Sequence, residues 1–209
     1  VTNGSLNGSA EKPPIHVAIQ VDGSFKGTPG DLDRIRWIKH YFDLHANCSY
    51  LTFSLLSETS APPDQLGSAL SGLIGQPVQL MNRGKITAVS NPAPCTITLA
   101  QNAFGREEIL NAIKRVVKAK LESKMNSPIT PELFSQFLAL PNLPSPDLII
   151  RTGSHGFLPD NMIWQMAYAE FWATSISWAE LNERDLSHAL SEFEGRSRRF
   201  GKVPIKASK

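Results

Sequence analysis

Ile15-His16-Val17-Ala18-Ile19-Gln20-Val21, closed at once by Asp22-Gly23-Ser24, is the stretch on which the fold turns. It is β-branched, apolar and too short for a helix, so it reads as a buried strand. Gly23, Gly27, Pro29 and Gly30 then punctuate a loop. Asp31 is a good helix N-cap, and Ile35, Ile38, Phe42 and Leu44 follow at helical spacing, so a helix is expected from Asp31 to about Ala46. Tyr50-Leu51-Thr52-Phe53-Ser54-Leu55-Leu56 is a second strand. Strand, helix and strand in this order make a βαβ unit, which builds a parallel sheet through a right-handed crossover.

The same alternation continues toward the C-terminus. A helix is expected over Asp64 to Leu73, and strands over Lys85 to Val89 and Cys95 to Ala100. Glu107 to Lys124 carries Ile109, Leu110, Ile113, Val116, Val117 and Leu121 at helical spacing, which predicts an amphipathic helix with its apolar side inward and a solvated basic face outward. Thr130 to Leu138 is a short helix with Pro131 at its first position. Asp147-Leu148-Ile149-Ile150-Arg151 is another buried strand, ending in Thr152-Gly153-Ser154. A helix over Asn161 to Ala169, a β-like stretch over Phe171 to Ser177 and a last helix over Glu183 to Arg198 complete the reading. The expected fold class is α/β, a single domain with a central, mainly parallel β-sheet flanked by helices. Residues 1–14, rich in Asn, Gly, Ser and Pro, read as a disordered tail, 15–202 as the domain, and 203–209 as a flexible C-terminal tail.

Composition narrows the function classes. The chain has 209 residues, 41% hydrophobic and 19% charged, enough for a core without metal or disulfide staples. With 21 Lys and Arg against 19 Asp and Glu, the net charge of +2 argues against a nucleic-acid partner. Two cysteines, Cys48 and Cys95, cannot build a disulfide framework or a four-thiolate zinc site. No apolar run approaches the ~20 residues of a membrane span, so membrane contact is expected to be peripheral at most, through Lys202, Lys206 and Lys209, and the location cytoplasmic.

In open parallel sheets ligands bind beyond the carboxyl ends of the strands. One strand ends in Asp22-Gly23-Ser24 and another in Arg151-Thr152-Gly153-Ser154. A carboxylate can ligate a hard cation such as Mg²⁺, while a guanidinium and free backbone N–H groups take phosphate oxygens. A strand-end Asp or Arg is as often a structural cap or ion pair. The chain contains no Walker A motif, GxGxxG, HExxH or nucleophile elbow.

His16-Val17-Ala18-Ile19-Gln20-Val21-Asp22-Gly23 resembles the opening strand and catalytic Asp-Gly of the cis-prenyltransferases, the undecaprenyl diphosphate synthase family. Asp147-Leu148-Ile149-Ile150-Arg151-Thr152-Gly153 resembles the family's D-L-x-I-R-T-[GS], Trp164-Gln165-Met166-Ala167-Tyr168-Ala169-Glu170 its W-Q-x-A-Y-[AS]-E, and Arg198-Arg199-Phe200-Gly201 its closing R-R-F-G. Asn102, Gly105, Arg106 and Ile109 fit its N-Y-G-G-R-x-[DE]-I less closely. The resemblance implies a Mg-dependent condensation of an allylic diphosphate with isopentenyl diphosphate. It implies Asp22 and Glu170 as catalytic residues and Mg²⁺ ligands, Glu170 acting from the partner subunit's side of the site. It implies diphosphate binding by Gly23, Ser24, Lys26, Arg151, Thr152, Gly153 and Ser154, with Arg199 and Gly201 reaching across a dimer. It also implies that Asn161–Ser177, with Trp164, Tyr168, Phe171 and Trp172, packs in the core and against the partner.

The departures matter as much. The family's Asn and basic stretch after Asp-Gly are replaced by Ser24-Phe25-Lys26-Gly27, and its S-x-E-N-W is reduced to Ser57-Glu58-Thr59-Ser60. His155, Phe157 and Pro159 stand where an acid, an Arg and a Ser would close on isopentenyl diphosphate. Phe and Pro cannot donate to phosphate, whereas His155 can move a proton near neutral pH. The expectation is a diverged enzyme that binds one Mg-complexed isoprenoid diphosphate and carries out ionisation, cyclisation or short prenyl transfer rather than long-chain elongation. The alternative is a non-catalytic accessory subunit of a heteromeric cis-prenyltransferase, of the dehydrodolichyl diphosphate synthase type, suggested also by Gly156-Phe157-Leu158-Pro159. A homodimer goes with the first reading and a heterodimer with the second.

Overall fold

The structure, a computed structural model, describes residues 16–46, 48–55, 62–82, 85–87, 95–101, 105–122, 126–138, 143–153 and 162–196. The sequence expectations for residues 1–14, Ser57 to Ser60, Asn102, Ser154 to Pro159, and Arg198 onward lie outside them.

The first strand is β1 (His16–Val21). Helix α1 (Pro29–His45) begins three residues earlier than expected, because Thr28 and not Asp31 is the N-cap. The Asp31 N–H donates to the Thr28 hydroxyl (3.2 Å), and the Asp31 carboxylate accepts from the Thr28 N–H (2.9 Å), a reciprocal capping box. Strand β2 (Tyr50–Leu55) and helix α2 (Pro63–Ile74) follow closely where expected. Strand β3 (Val78–Asn82) was not foreseen; its five residues sit just after Gly75 and Pro77. Strand β4 (Lys85–Thr87) lies where a strand is expected, the rest of that expectation falling outside the described residues, and it returns antiparallel against β3. Next come β5 (Thr96–Gln101), α3 (Gly105–Leu121), α4 (Pro131–Ser135), with Thr130 as its cap, and β6 (Leu148–Arg151). The helix expected over Asn161 to Ala169 is only a 3-10 turn, Gln165–Tyr168, leading into β7 (Glu170–Ala173). Helix α5 (Glu183–Gly195) ends the described chain.

The sheet order is β4-β3-β5-β2-β1-β6-β7, with six parallel strands and β4 as the antiparallel edge. From β1 the chain first builds outward on the β2 side, and later, with β6 and β7, on the other. The winding direction therefore changes between β1 and β6, and that is where an open parallel sheet leaves a crevice at its carboxyl edge. Side-chain alternation gives the sheet two different faces. Val17, Ile19, Val21, Leu51, Phe53, Ile97, Leu148 and Ile150 join Ile35, Ile38 and Phe42 of α1 and Leu186, Leu190 and Phe193 of α5 in the main core. The other face is partly polar: Gln20, Thr52, Ser54 and Thr98 are fully buried there. His16 is on this face too. It is held between the Pro144 carbonyl (Nδ1, 2.6 Å) and the Thr52 hydroxyl (Nε2, 3.0 Å). A carbonyl only accepts, so Nδ1 carries a proton. Burial drives its pKa down to about 4. His16 is thus a structural residue, as its place at a strand start suggests.

Helix α3 differs from expectation in which way it faces. Its buried residues are Gly105, Glu108, Ala112 and Val116. Leu110, Ile113, Val117 and Leu121 point outward. Positions 105, 108, 112 and 116 form one stripe and 110, 113, 117 and 121 the opposite one, at 100° per residue. The sequence has apolar residues on both, and the larger ones are on the side away from the sheet.

Candidate active site

The carboxyl ends of β1 and β6 bring Asp22 and the Arg151-Thr152-Gly153 segment together at the winding switch. Register sets Gln20 opposite Arg151, so the two strand ends are level. The Asp22 N–H donates to the Thr152 hydroxyl at 3.1 Å, and the Thr152 N–H donates to the Gln20 carbonyl at 3.1 Å. Gly153 turns away with φ +83°, and its N–H donates to the Ile176 carbonyl at 2.8 Å. A Cβ at Gly153 would lie 2.8 Å from that of Asp22 and 3.1 Å from its Oδ2. Only glycine permits both this backbone and this approach.

Asp22 is 5% exposed. One carboxylate oxygen accepts from the Ser24 N–H and the other from the Trp178 N–H, both at 2.7 Å. Burial alone would raise its pKa, but the donors from Ser24, Trp178 and Thr152 outweigh it, and Asp22 stays below the usual carboxylate range. It is therefore a fixed negative charge at the crevice. Each oxygen keeps a further acceptor direction after these bonds.

Trp178 was not singled out in the sequence. Its backbone caps Asp22, while its ring Nε1–H donates to Asp31 Oδ1 at 2.8 Å. The ring is fully buried between Phe25 and Phe53, both edge-on at about 6 Å, with the Arg34 guanidinium 5.9 Å from its centroid. Ser177-Trp178-Ala179-Glu180 forms a capping box of its own, and that S-x-x-E pattern was the sequence signal available. The other oxygen of Asp31 collects the N–H groups of Lys26 and Thr28. Two aspartates and one tryptophan thus hold the loop after β1. Within it Phe25 is an anchor in the core, Gly23 and Ser24 are exposed, and Lys26 is exposed with its Nζ folded back onto the Gly23 carbonyl at 2.8 Å.

Arg151 is buried at the end of β6 beside these groups. Glu170 is not. Register places Glu170 opposite Leu148, and Leu148 opposite Val17, five residues before Asp22. Asp22 and Glu170 of one chain are therefore separated by roughly 16 Å along the strands. Glu170 instead pairs with Arg196 at 3.2 Å, at the outer edge of the sheet. Among the described residues no group of three or more His, Cys, Asp or Glu side chains is placed to hold a metal ion. No described helix is long and apolar enough to cross a membrane.

A family model described as putative undecaprenyl diphosphate synthase matches residues 73–201, and the chain belongs to that family of prenyltransferases. Among curated relatives, an isoprenyl transferase of Clostridium acetobutylicum is 33% identical over 155 residues, covering 72% of this chain and 60% of that protein. Another, from Bacillus cereus, is 37% identical over 108 residues, 51% of this chain and 42% of its own length. The chain thus spans about half of the curated relatives it matches. Among solved structures, lavandulyl diphosphate synthase from Lavandula x intermedia, in complex with dimethylallyl diphosphate, superposes with a TM-score of 0.71 at 21% identity, covering 92% of this chain and all of the other. A probable undecaprenyl diphosphate synthase from Campylobacter jejuni gives 0.62 at 21% identity, covering 90% and 99%. At this identity the two structures speak for the fold.

Proposed function

We propose that this chain binds a Mg-complexed isoprenoid diphosphate at the crevice between β1 and β6 and catalyses ionisation, cyclisation or a short prenyl transfer rather than long-chain elongation. The observation that carries the reading is the ionised, nearly buried Asp22 held against Gly153 at the winding switch, two residues beyond Gln20, the register partner of Arg151. The arrangement suits Mg²⁺, which prefers one or two carboxylates plus phosphate oxygens and water over an all-protein cage. Asp22 would hold the ion, with Glu170 supplied by a second copy, since one chain keeps the two acids apart. When bound, Mg²⁺ would offset the charge that develops on the departing diphosphate. Arg151 would grip phosphate oxygens, and Gly23 and Ser24 would offer exposed backbone and hydroxyl donors. Ser154, His155, Asn102, Arg199 and Gly201 enter the proposal from their motifs. Phe25, buried against Trp178, leaves Lys26 as the cation of that loop, a sparser grip than a basic stretch.

The second reading, an accessory subunit, is favoured by one specific feature. Both Asp22 oxygens already accept N–H groups of the chain itself, so the same carboxylate also works as a structural clasp. The deciding experiment incubates the purified chain with Mg²⁺ and dimethylallyl, geranyl or farnesyl diphosphate, with and without isopentenyl diphosphate. Diphosphate release and the organic product are followed. Release without isopentenyl diphosphate supports ionisation or cyclisation, and release of a short product only with it supports short transfer. A long polyprenyl product overturns the reading, and no release from a folded chain moves the assignment to the accessory role.

A further inference from the structure

The chain's two cysteines, Cys48 and Cys95, are brought together by the fold. Cys48 lies between α1 and β2, and Cys95 directly before β5. Strands β2 and β5 are parallel neighbours with Tyr50 opposite Thr96, so both cysteines sit at the amino edge of the sheet, away from Asp22. The Thr96 N–H donates to the Ser49 carbonyl at 2.9 Å, which holds the two strand starts level. The Gln76 side chain donates to the Cys95 carbonyl at 2.7 Å, and the Cys48 thiol to the Tyr50 carbonyl at 2.9 Å. Both cysteine side chains belong to the main core, 4% and 2% exposed. The two thiols hydrogen-bond one another there. Half-cystines need Cα atoms roughly 4–7 Å apart, and adjacent strands lie about 4.8 Å apart. Two cysteines are too few for a disulfide framework, but this placement suits a single bridge.

We propose that Cys48 and Cys95 form a redox modification site, oxidised by hydrogen peroxide to an intramolecular disulfide that staples the start of β2 to the start of β5. Peroxide is the fitting oxidant because it is neutral and little larger than water. A bulkier one, such as glutathione disulfide, must first form a mixed disulfide, which burial of both sulfurs disfavours. The two thiols are unequal. The hydrogen bond from Cys95 lowers the pKa of Cys48, whereas that same bond and burial push the Cys95 thiol up. Once its proton is lost, the Cys48 sulfur attacks one peroxide oxygen. The O–O bond breaks, hydroxide leaves, and Cys48 becomes a sulfenic acid. The Cys95 sulfur then attacks the Cys48 sulfur, the S–O bond breaks, and a second hydroxide leaves. The two thiol protons neutralise the two hydroxides, so two thiols and one peroxide give one disulfide and two waters. The bridge closes a loop through β2, α2, β3 and β4 at the edge opposite the crevice. It is therefore independent of the function proposed for that crevice.

The test treats the full, folded chain with millimolar hydrogen peroxide, removes the excess with catalase, then unfolds, alkylates and maps the chain by mass spectrometry. The expected result is a linked Cys48–Cys95 peptide, no alkylated cysteine, and recovery of both thiols with dithiothreitol. The oxidised chain should melt higher on the order of 10 °C, as closing a loop of roughly 50 residues predicts. Cys95→Ala should stop at a sulfenic acid on Cys48, trapped by dimedone. Two alkylated cysteines after treatment of the folded chain, with oxidation seen only in urea, would overturn the site and leave two inert core thiols. A sulfinic acid on Cys48 of the wild-type chain without a bridge would overturn the part given to Cys95. Disulfides between separate chains, or a bridged chain that melts lower than the reduced one, would overturn the claim that the fold is set for this bond.

Discussion

Asp22 is asked to do two things at once, and its substitutions should separate them. Asn at position 22 keeps one acceptor oxygen but turns an NH2 toward either the Ser24 or the Trp178 N–H. A donor facing a donor in a buried site costs about 2 kcal/mol. Asp22→Asn is therefore expected to lower stability by that amount in urea denaturation. If the chain is catalytic, it also lowers diphosphate release on the order of 10²-fold or more. A stability loss with unchanged turnover would show that Asp22 is a clasp only. Gly153→Ala attacks the same pair from the other side. The new Cβ meets Asp22, and the positive φ strains any L side chain. Destabilisation of about 1–2 kcal/mol is expected from the backbone alone, with a wild-type melting curve as the contrary result.

At the scale of the element, what could be read from the chain depended on how many signals agreed. Strand β1, the loop and α1 were legible because β-branched burial, glycine and proline punctuation and helical spacing all pointed one way. The cap of α1 was misplaced because Asp31 is itself a good N-cap type, and only the geometry shows it working as the N3 partner of Thr28. Thr28→Ala should cost about 1 kcal/mol in chemical denaturation, and it should also loosen the loop whose Lys26 N–H shares the Asp31 carboxylate. No change on that substitution would mean that Trp178 and Lys26 hold Asp31 unaided. Strand β3 went unseen because five residues after a Gly-Gln-Pro turn carry no periodicity long enough to stand out. Helix α3 was recognised but faced the wrong way, since a helix apolar on two sides gives no hydrophobic direction. The fold's sheet class was readable, as were the two strand ends that carry Asp22 and Arg151. Trp178 was not, because it is 156 residues from the aspartate it caps.

For the whole molecule, pH is the telling variable. The unfolded chain binds a proton at His16 near the ordinary imidazole value of 6.5, whereas in the folded chain burial lowers that to about 4. Between these values the unfolded state takes up the proton first, so stability falls as pH drops from about 6.5 to about 4. The loss is on the order of 3 kcal/mol. His16→Gln retains an amide donor for Pro144 and an acceptor for Thr52 without that titration, and should flatten this limb of the stability profile. An equally steep limb in the variant would place the effect elsewhere. At lower pH the sign comes from the opposite kind of group. Asp22 and Asp31, whose folded pKa values are depressed, contribute stability above their unfolded values and lose it as pH falls through the folded ones.

The strand order has a consequence for how the chain is made. Synthesis delivers β1, β2, β3 and β5 first, and these can zip together as one half of the sheet. Asp22 emerges early, yet its partners Thr152 and Trp178 arrive only after some 130 and 156 further residues. Until then β1 is an open edge and the loop after it has no latch. The rim around Asp22 is thus assembled late, begun when β6 is laid beside β1 and latched when Trp178 arrives. A nascent chain released before residue 147 would have most of its sheet and no site.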